Sequence, residues 1–112
     1  MRTPLPGRSI PLWGRDGDTL LGGDGTDSIL GSNGDDWIEG RGKADTIHGD
    51  AGNDTIYGGA GSNLIYGGDG NDWIDDGHST VFYNTVYGGA GNDTVYANGH
   101  DTILECETEI IV

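Results

Sequence analysis

Glycine returns at a nine-residue interval through most of this chain. Residues 22 to 75 divide without a gap into six nonapeptides: GGDGTDSIL, GSNGDDWIE, GRGKADTIH, GDAGNDTIY, GGAGSNLIY and GGDGNDWID. After a three-residue insertion, Asp76-Gly77-His78, two more units keep the phase, a degenerate one from Ser79 to Tyr87 and a regular one from Gly88 to Tyr96. Eight-residue relatives flank the array at Gly14 to Leu21 and Ala97 to Leu104. A fixed period of this length is the signature of a stacked repeat in which each unit contacts only its neighbours. The chain therefore reads as a ten-unit array over residues 14–104, with an N-terminal cap over 1–13 and a C-terminal tail over 105–112.

Two columns run through the units. The sixth position is acidic or amide throughout: Asp18, Asp27, Asp36, Asp45, Asp54, Asn63, Asp72, Asn84, Asp93 and Asp101. The eighth is aliphatic throughout: Leu20, Ile29, Ile38, Ile47, Ile56, Ile65, Ile74, Val86, Val95 and Ile103. Three residues with an apolar, mostly β-branched middle suit a very short strand that points one side chain inward and its neighbours outward. Six Gly-rich residues then turn the chain. A helix is excluded, because Gly costs about 1 kcal/mol per residue against Ala, and collagen is excluded because Gly does not recur every third residue. Nine residues make half a coil, so successive strands alternate between two facing parallel sheets and unit n stacks on unit n+2. The expected fold is all-β: a parallel β-roll, or two-sheet β-solenoid.

That stacking brings carboxylates together. Stacked strands lie ~4.8 Å apart, so sixth-position carboxylates of units n and n+2 are held at about that separation, and an ion midway sits ~2.4 Å from each. Calcium bonds oxygen at about 2.3–2.6 Å with six to eight ligands. Gly at the first, second and fourth positions is expected to take positive φ and aim carbonyls at the same point. Zinc and copper want His or Cys, and His48, His78 and His100 are dispersed and without Cys partners. Sorting the column by parity separates two edges. The even edge carries Asp18, Asp36, Asp54, Asp72 and Asp93, an unbroken acidic ladder with up to four calcium slots. The odd edge carries Asp27, Asp45, Asn63, Asn84 and Asp101; only its Asp27/Asp45 slot has two carboxylates, and Lys43 puts an ammonium nearby.

Composition bounds the partners. A formal net charge of −14, with five basic residues, excludes nucleic acid and anionic membrane, which require a basic face. No apolar run approaches the ~18 residues of a membrane span, and the N-terminus, MRTPLPGRSIPLWG, is interrupted by Pro and Gly where a signal peptide needs its apolar stretch. Leu, Ile, Val and Phe make up just under a fifth of the chain, near the border of intrinsic disorder, and the single Cys106 forms no internal disulfide. Neighbouring carboxylates also repel, by up to roughly 3 kcal/mol per pair at an effective dielectric of ~20. A chain with so thin a core is expected to be mostly disordered without calcium and folded with it.

The nonapeptide GGxGxDxUx, where U is aliphatic, resembles the RTX, or haemolysin-type, calcium-binding repeat found in the C-terminal β-roll of serralysins. The resemblance covers residues 14–104, with eight units in one phase. It implies a parallel β-roll with calcium between neighbouring turns of one edge. Sixth-position aspartates of both turns would bind, with carbonyls of the second and fourth positions of one turn and the first and third of the next. For one pair it implies Asp54 with the carbonyls of Asp50 and Gly52, facing Asp72 with those of Gly67 and Asp69. Over the array, the implied side-chain ligands are Asp18, Asp27, Asp36, Asp45, Asp54, Asp72 and Asp93. The implied backbone positions are Gly23, Gly25, Ser32, Gly34, Gly49, Asp50, Ala51, Gly52, Gly67, Gly68, Asp69 and Gly70. The sequence departs from the pattern where Lys43 replaces a fourth-position Gly, where Asn63 and Asn84 replace Asp, and where Ser79 to Asn84 lacks any turn Gly.

The chain ends Glu109-Ile110-Ile111-Val112, similar to the acidic residue plus three apolar residues that close many RTX proteases exported by type I secretion. With the array and an N-terminus that lacks a signal peptide, this gives an expected extracellular location. No His-Glu-x-x-His or Gly-x-Ser-x-Gly occurs, and no His lies near a Ser or Cys in a convincing arrangement. The chain is therefore read as a non-enzymatic calcium-binding module, secreted alone or as the tail of a larger exported protein. The alternative reading is an extracellular surface that binds a glycan or a protein. Positions seven and nine of the even sheet place Trp37, Tyr57, Trp73 and Tyr96 on one outer face, although such aromatics also stabilise a sheet by themselves.

Overall fold

In a computed structural model, which describes residues 11–13, 17–77, 81–98 and 100–111, the repeat winds two facing sheets, and the described residues contain no helix. One sheet holds β1 (Pro11–Trp13), β3 (Ser28–Leu30), β5 (Thr46–Ala51), β7 (Leu64–Asp69), β9 (Thr85–Ala90) and β11 (Thr102–Leu104), side by side in that order. The other holds β2 (Thr19–Gly23), β4 (Trp37–Arg41), β6 (Thr55–Tyr57), β8 (Trp73–Asp75), β10 (Thr94–Ala97) and β12 (Thr108–Ile111). Every pairing is parallel. The registers join like positions of units two apart, as in Ile38↔Ile56 and Ile47↔Ile65. The expected parallel β-roll is the observed architecture, with the odd units on one sheet and the even units on the other.

The aliphatic column fills the space between the sheets. Leu20, Ile29, Ile38, Ile47, Ile56, Ile65, Ile74, Val86 and Val95 are fully buried, with Ile103 partly buried at the end. One side chain per strand is a thin core, and the molecule is only 15 Å across its shortest axis.

Two local features differ from the sequence reading. The strands of the odd sheet run on into the turns: β5, β7 and β9 span six residues each, because backbone pairing continues through Asp50↔Gly68↔Gly89 and Ala51↔Asp69↔Ala90. The insertion also lies elsewhere. Asp76 and Gly77 already occupy the first two turn positions, since a Cβ on Gly58 would meet the Asp76 carbonyl and Gly77, at φ +104°, abuts the Gly59 carbonyl. The extra residues are therefore accommodated between Gly77 and Asn84, inside the turn rather than before it. At the ends, β1 falls in the segment read as a cap and pairs with β3, while β12 falls in the segment read as a tail and pairs with β10.

Candidate metal centre

The sixth-position residues form two columns, one on each edge, and a backbone hydrogen bond links every rung to the next. On the even edge Asp18 N–H donates to Asp36 Oδ1, Asp36 N–H to Asp54, Asp54 N–H to Asp72 and Asp72 N–H to Asp93, at 2.7–2.9 Å. On the odd edge Asp27 donates to Asp45, Asp45 to Asn63, Asn63 to Asn84 and Asn84 to Asp101, at 2.8–2.9 Å. Asp27, Asp36, Asp45, Asp54, Asp72 and Asp93 are buried; Asp18, at the end of its column, is less so.

Oδ1 of Asp36, Asp45, Asp54, Asp72, Asp93 and Asp101 is thus used. Oδ2 of Asp45, Asp54, Asp72 and Asp93 is buried without a hydrogen-bond partner among the described residues, and so are both oxygens of Asp27. A buried polar atom in that state costs about 1–3 kcal/mol, and more when charged. The first-position glycines show what faces it. A Cβ on Gly49 would stand 2.5 Å from Asp54 Oδ2 and 2.6 Å from the Gly67 carbonyl; one on Gly67 would stand 2.6 Å from Asp72 Oδ2 and 2.5 Å from the Gly88 carbonyl. Two acceptors, a carboxylate oxygen and the carbonyl of the next turn, therefore border the same small space. Such a pair fits a cation, and the all-oxygen donor set fits a hard one. No three His, Cys, Asp or Glu side chains converge among the described residues, so an ion between two turns would draw part of its shell from the backbone.

The turn backbone is shaped for this, though not quite as the glycine pattern suggested. First-position glycines have no positive φ; they are Gly because a Cβ would strike an oxygen. The left-handed residues are those at the second position, Gly23, Ser32, Asp50 and Gly68 among them, and at the fourth, Gly34, Gly52 and Gly70 among them, while Gly25 is not left-handed. Ser32, Arg41, Lys43 and Asp50 hold φ between 68° and 76°, a conformation that costs a non-Gly residue about 1–2 kcal/mol. Several carbonyls implied as ligands already accept hydrogen bonds between turns: Ser32 from Ala51 N–H, Ala51 from Gly34 N–H, Asp69 from Gly52 N–H and Gly23 from Gly42 N–H, all at 2.9 Å. Lys43 is exposed, and its carbonyl lies against Gly61 of the next turn on that edge.

Burial dominates the electrostatics. It pushes the carboxyls of Asp45 and Asp72 up to about 7 and that of Asp54 to about 6. The backbone N–H that each accepts works against the rise, and repulsion from the neighbouring rung adds to it. Asp27 and Asp93 are raised for the same leading reason. In chelator, Asp45, Asp54 and Asp72 hold protons more tightly in the folded chain than in the unfolded one. Their contribution to stability is complete below about pH 4 and is lost as pH rises through about 6–7. Residual β structure in chelator, read by far-UV circular dichroism, should therefore be greater at about pH 5 than at about pH 8. In calcium the dependence should reverse, because an ion must displace those protons, and calcium affinity should climb across the same interval.

Three features of this region escaped the sequence reading. The even column does not stop at Asp93: Asp93 N–H donates to Glu107 Oε2 at 3.1 Å, and Thr108 follows Glu107 as Thr94 follows Asp93. A second column stands beside it on the even edge, where Asn53 N–H donates to Asp35, Asn71 N–H to Asn53 and Asn92 N–H to Asn71, at 2.7–2.9 Å. Its signal was present, since the fifth position is Asp or Asn in these even units and Thr26, Ala44 and Ser62 in odd ones. The outer face of the odd sheet carries its own ring column, with His48 stacked on Tyr66 at 4.6 Å and Tyr66 on Tyr87 at 4.9 Å. Cys106 packs against the end of the core and donates to the Thr108 carbonyl at 3.0 Å; burial first, and the charges of Asp93 and Glu107 after it, push its thiol up.

Facing parallel sheets wound from nine-residue units, with Oδ2 of Asp54, Asp72 and Asp93 buried along one edge without a hydrogen-bond partner among the described residues, define a metal-binding β-roll. The model of the RTX calcium-binding nonapeptide repeat (4 copies) matches residues 13–42, 39–74 and 83–104, well over half of the chain, and the chain belongs to that family. It is a calcium-binding β-roll module. No curated protein and no solved structure gives a significant match to the chain.

Proposed function

We propose that calcium binds in the gaps of the even edge, between the turns that carry Asp18, Asp36, Asp54, Asp72 and Asp93, and that this binding folds the chain once it is outside the cell. The observation that carries the reading is the buried Oδ2 of Asp54 and Asp72, each facing a carbonyl of the next turn. Left alone, such an arrangement stores repulsion and unmet solvation; with a divalent cation between the oxygens, both terms change sign. The module then works as a calcium-triggered fold, disordered where calcium is scarce and compact where it is plentiful. Far-UV circular dichroism tests the coupling. Millimolar calcium should convert a coil spectrum to β, chelator should reverse it, and magnesium, which demands a tighter octahedral shell, should be much weaker. A full β spectrum in chelator would refute the coupling.

Export is the second part of the proposal. Its support is the family and the terminal Glu109-Ile110-Ile111-Val112. Because the backbone of Thr108–Ile111 pairs with β10, removing residues 109–112 should do two things. It should abolish type I secretion, and it should lower the thermal midpoint in calcium by several degrees, since β10 would become an unpaired edge. Wild-type secretion of the truncated chain would show that the address lies elsewhere.

Partner binding by the even face is a weaker reading on this structure. Trp37, Tyr57, Trp73 and Tyr96 do form one column, with centroids 5.1–5.3 Å apart in tilted or edge-on contacts. They pack mainly on one another: Trp37 is 43% exposed, while the other three are half-buried. Contacts of this kind stabilise a sheet without any ligand.

A further inference from the structure

Asn63 and Asn84 stand in the odd column above Asp27 and Asp45, and their amide nitrogens take the place where the aspartates put Oδ2. A Cβ on Gly58 would stand 3.0 Å from Asn63 Nδ2 and 3.1 Å from the Asp76 carbonyl, the same pair of neighbours that a carboxylate oxygen and a first-position carbonyl make at Gly49. Here one member of the pair is a donor. Asn84 Nδ2 donates to the buried Asp76 carbonyl at 3.0 Å, and Asn63 Nδ2 reaches the Gly59 carbonyl at 3.4 Å, a long contact. The other end of each amide fixes which atom is nitrogen, because Asn63 Oδ1 accepts Asp45 N–H at 2.9 Å and Asn84 Oδ1 accepts Asn63 N–H at 2.8 Å.

We propose that Asn63 and Asn84 are built-in substitutes for the cation. In the odd-edge gap between the turns of Asn63 and Asn84, where Asn63 Nδ2 and Asn84 Nδ2 both lie beside the Asp76 carbonyl, an amide N–H supplies the positive end that calcium supplies on the opposite edge, so this gap closes without an ion and takes none. This rests on the reading that even-edge gaps take calcium. A primary amide suits this role because its oxygen continues the ladder, its nitrogen meets the turn carbonyl, and it adds no charge to a chain at −14. Which gap is metal-dependent is then decided by a single atom, oxygen or nitrogen, at the sixth position.

Calcium bound per chain, counted by equilibrium dialysis of the full chain, tests this. Asn63→Asp combined with Asn84→Asp gives the gap between their turns two carboxylates and should raise the count by one. An unchanged count with tighter binding would mean that the asparagines already ligate, and would overturn the proposal. Asn84→Leu, of similar size but without the Nδ2 donor and without the Oδ1 that accepts Asn63 N–H, should leave the count unchanged and lower the thermal midpoint in saturating calcium by roughly 4–8 °C. A count reduced by one, or an unmoved midpoint, would overturn the proposal from the other side. A wild-type chain that bound no calcium would instead contradict the even-edge reading, and the Asn84→Leu midpoint would still decide whether the amide holds the odd edge.

Discussion

Withdrawing calcium should expand this molecule nearly threefold. The folded roll has a Cα radius of gyration of 12.4 Å, whereas an unfolded chain of its length is expected near ~34 Å. Small-angle scattering in chelator should approach the larger value at neutral pH and return to the smaller one on adding millimolar calcium. The size of the effect follows from what the fold lacks. Its core is one aliphatic side chain per strand, its single cysteine leaves it without an internal disulfide, and each even-edge turn stacks a buried carboxylate on the next. Neither the aliphatic column nor the hydrogen-bonded ladder removes that repulsion, and the proposed calcium-coupled folding therefore predicts a loss of the roll as a whole. A chain that stayed near the folded radius in chelator at about pH 8 would show that the backbone ladder suffices.

Replacing Asp54 should be far more damaging to calcium binding than replacing Asn63, although the two residues make the same hydrogen bond. Asp54 Oδ1 accepts Asp36 N–H and Asn63 Oδ1 accepts Asp45 N–H, at 2.8 and 2.9 Å. Either change to Ala orphans a buried N–H, at a cost of about 1–3 kcal/mol, so both variants should melt earlier. Only Asp54→Ala removes a carboxylate that borders two even-edge gaps, one toward Asp36 and one toward Asp72. Its apparent calcium affinity should fall by at least the roughly 10–100-fold associated with losing even an outer-shell partner of a metal, while that of Asn63→Ala should stay within a few-fold of wild type. Equal losses of affinity would contradict the assignment of calcium to the even edge.

Much of this was legible in the sequence because period nine leaves few choices. The aliphatic eighth position placed the core residue by residue from Leu20 to Val95, and parity alone assigned Asp54 and Asn63 to opposite edges, as their hydrogen-bond partners bear out. Features outside the nonapeptide phase were harder to see. Glu107 continues the even column 14 residues after Asp93, where the regular spacing between rungs is 18, so spacing gave no pointer to it. The insertion was misplaced because Asp76 does not look like a first-position residue, a place held by Gly in all six uninterrupted nonapeptides. The first-position glycines were assigned to the wrong cause: sequence shows that Gly is required, and only the positions of Asp54 Oδ2 and the Gly67 carbonyl show that the reason is space rather than φ.

The central claim is that calcium lies between neighbouring even-edge turns, held in part by the sixth-position carboxylates. Anomalous scattering from a crystal grown in calcium addresses it directly. The account predicts peaks between the turns of Asp36 and Asp54 and between those of Asp54 and Asp72, with none between the turns of Asn63 and Asn84. Peaks confined to the odd edge, or a folded roll with no peak beside Asp54, would contradict it.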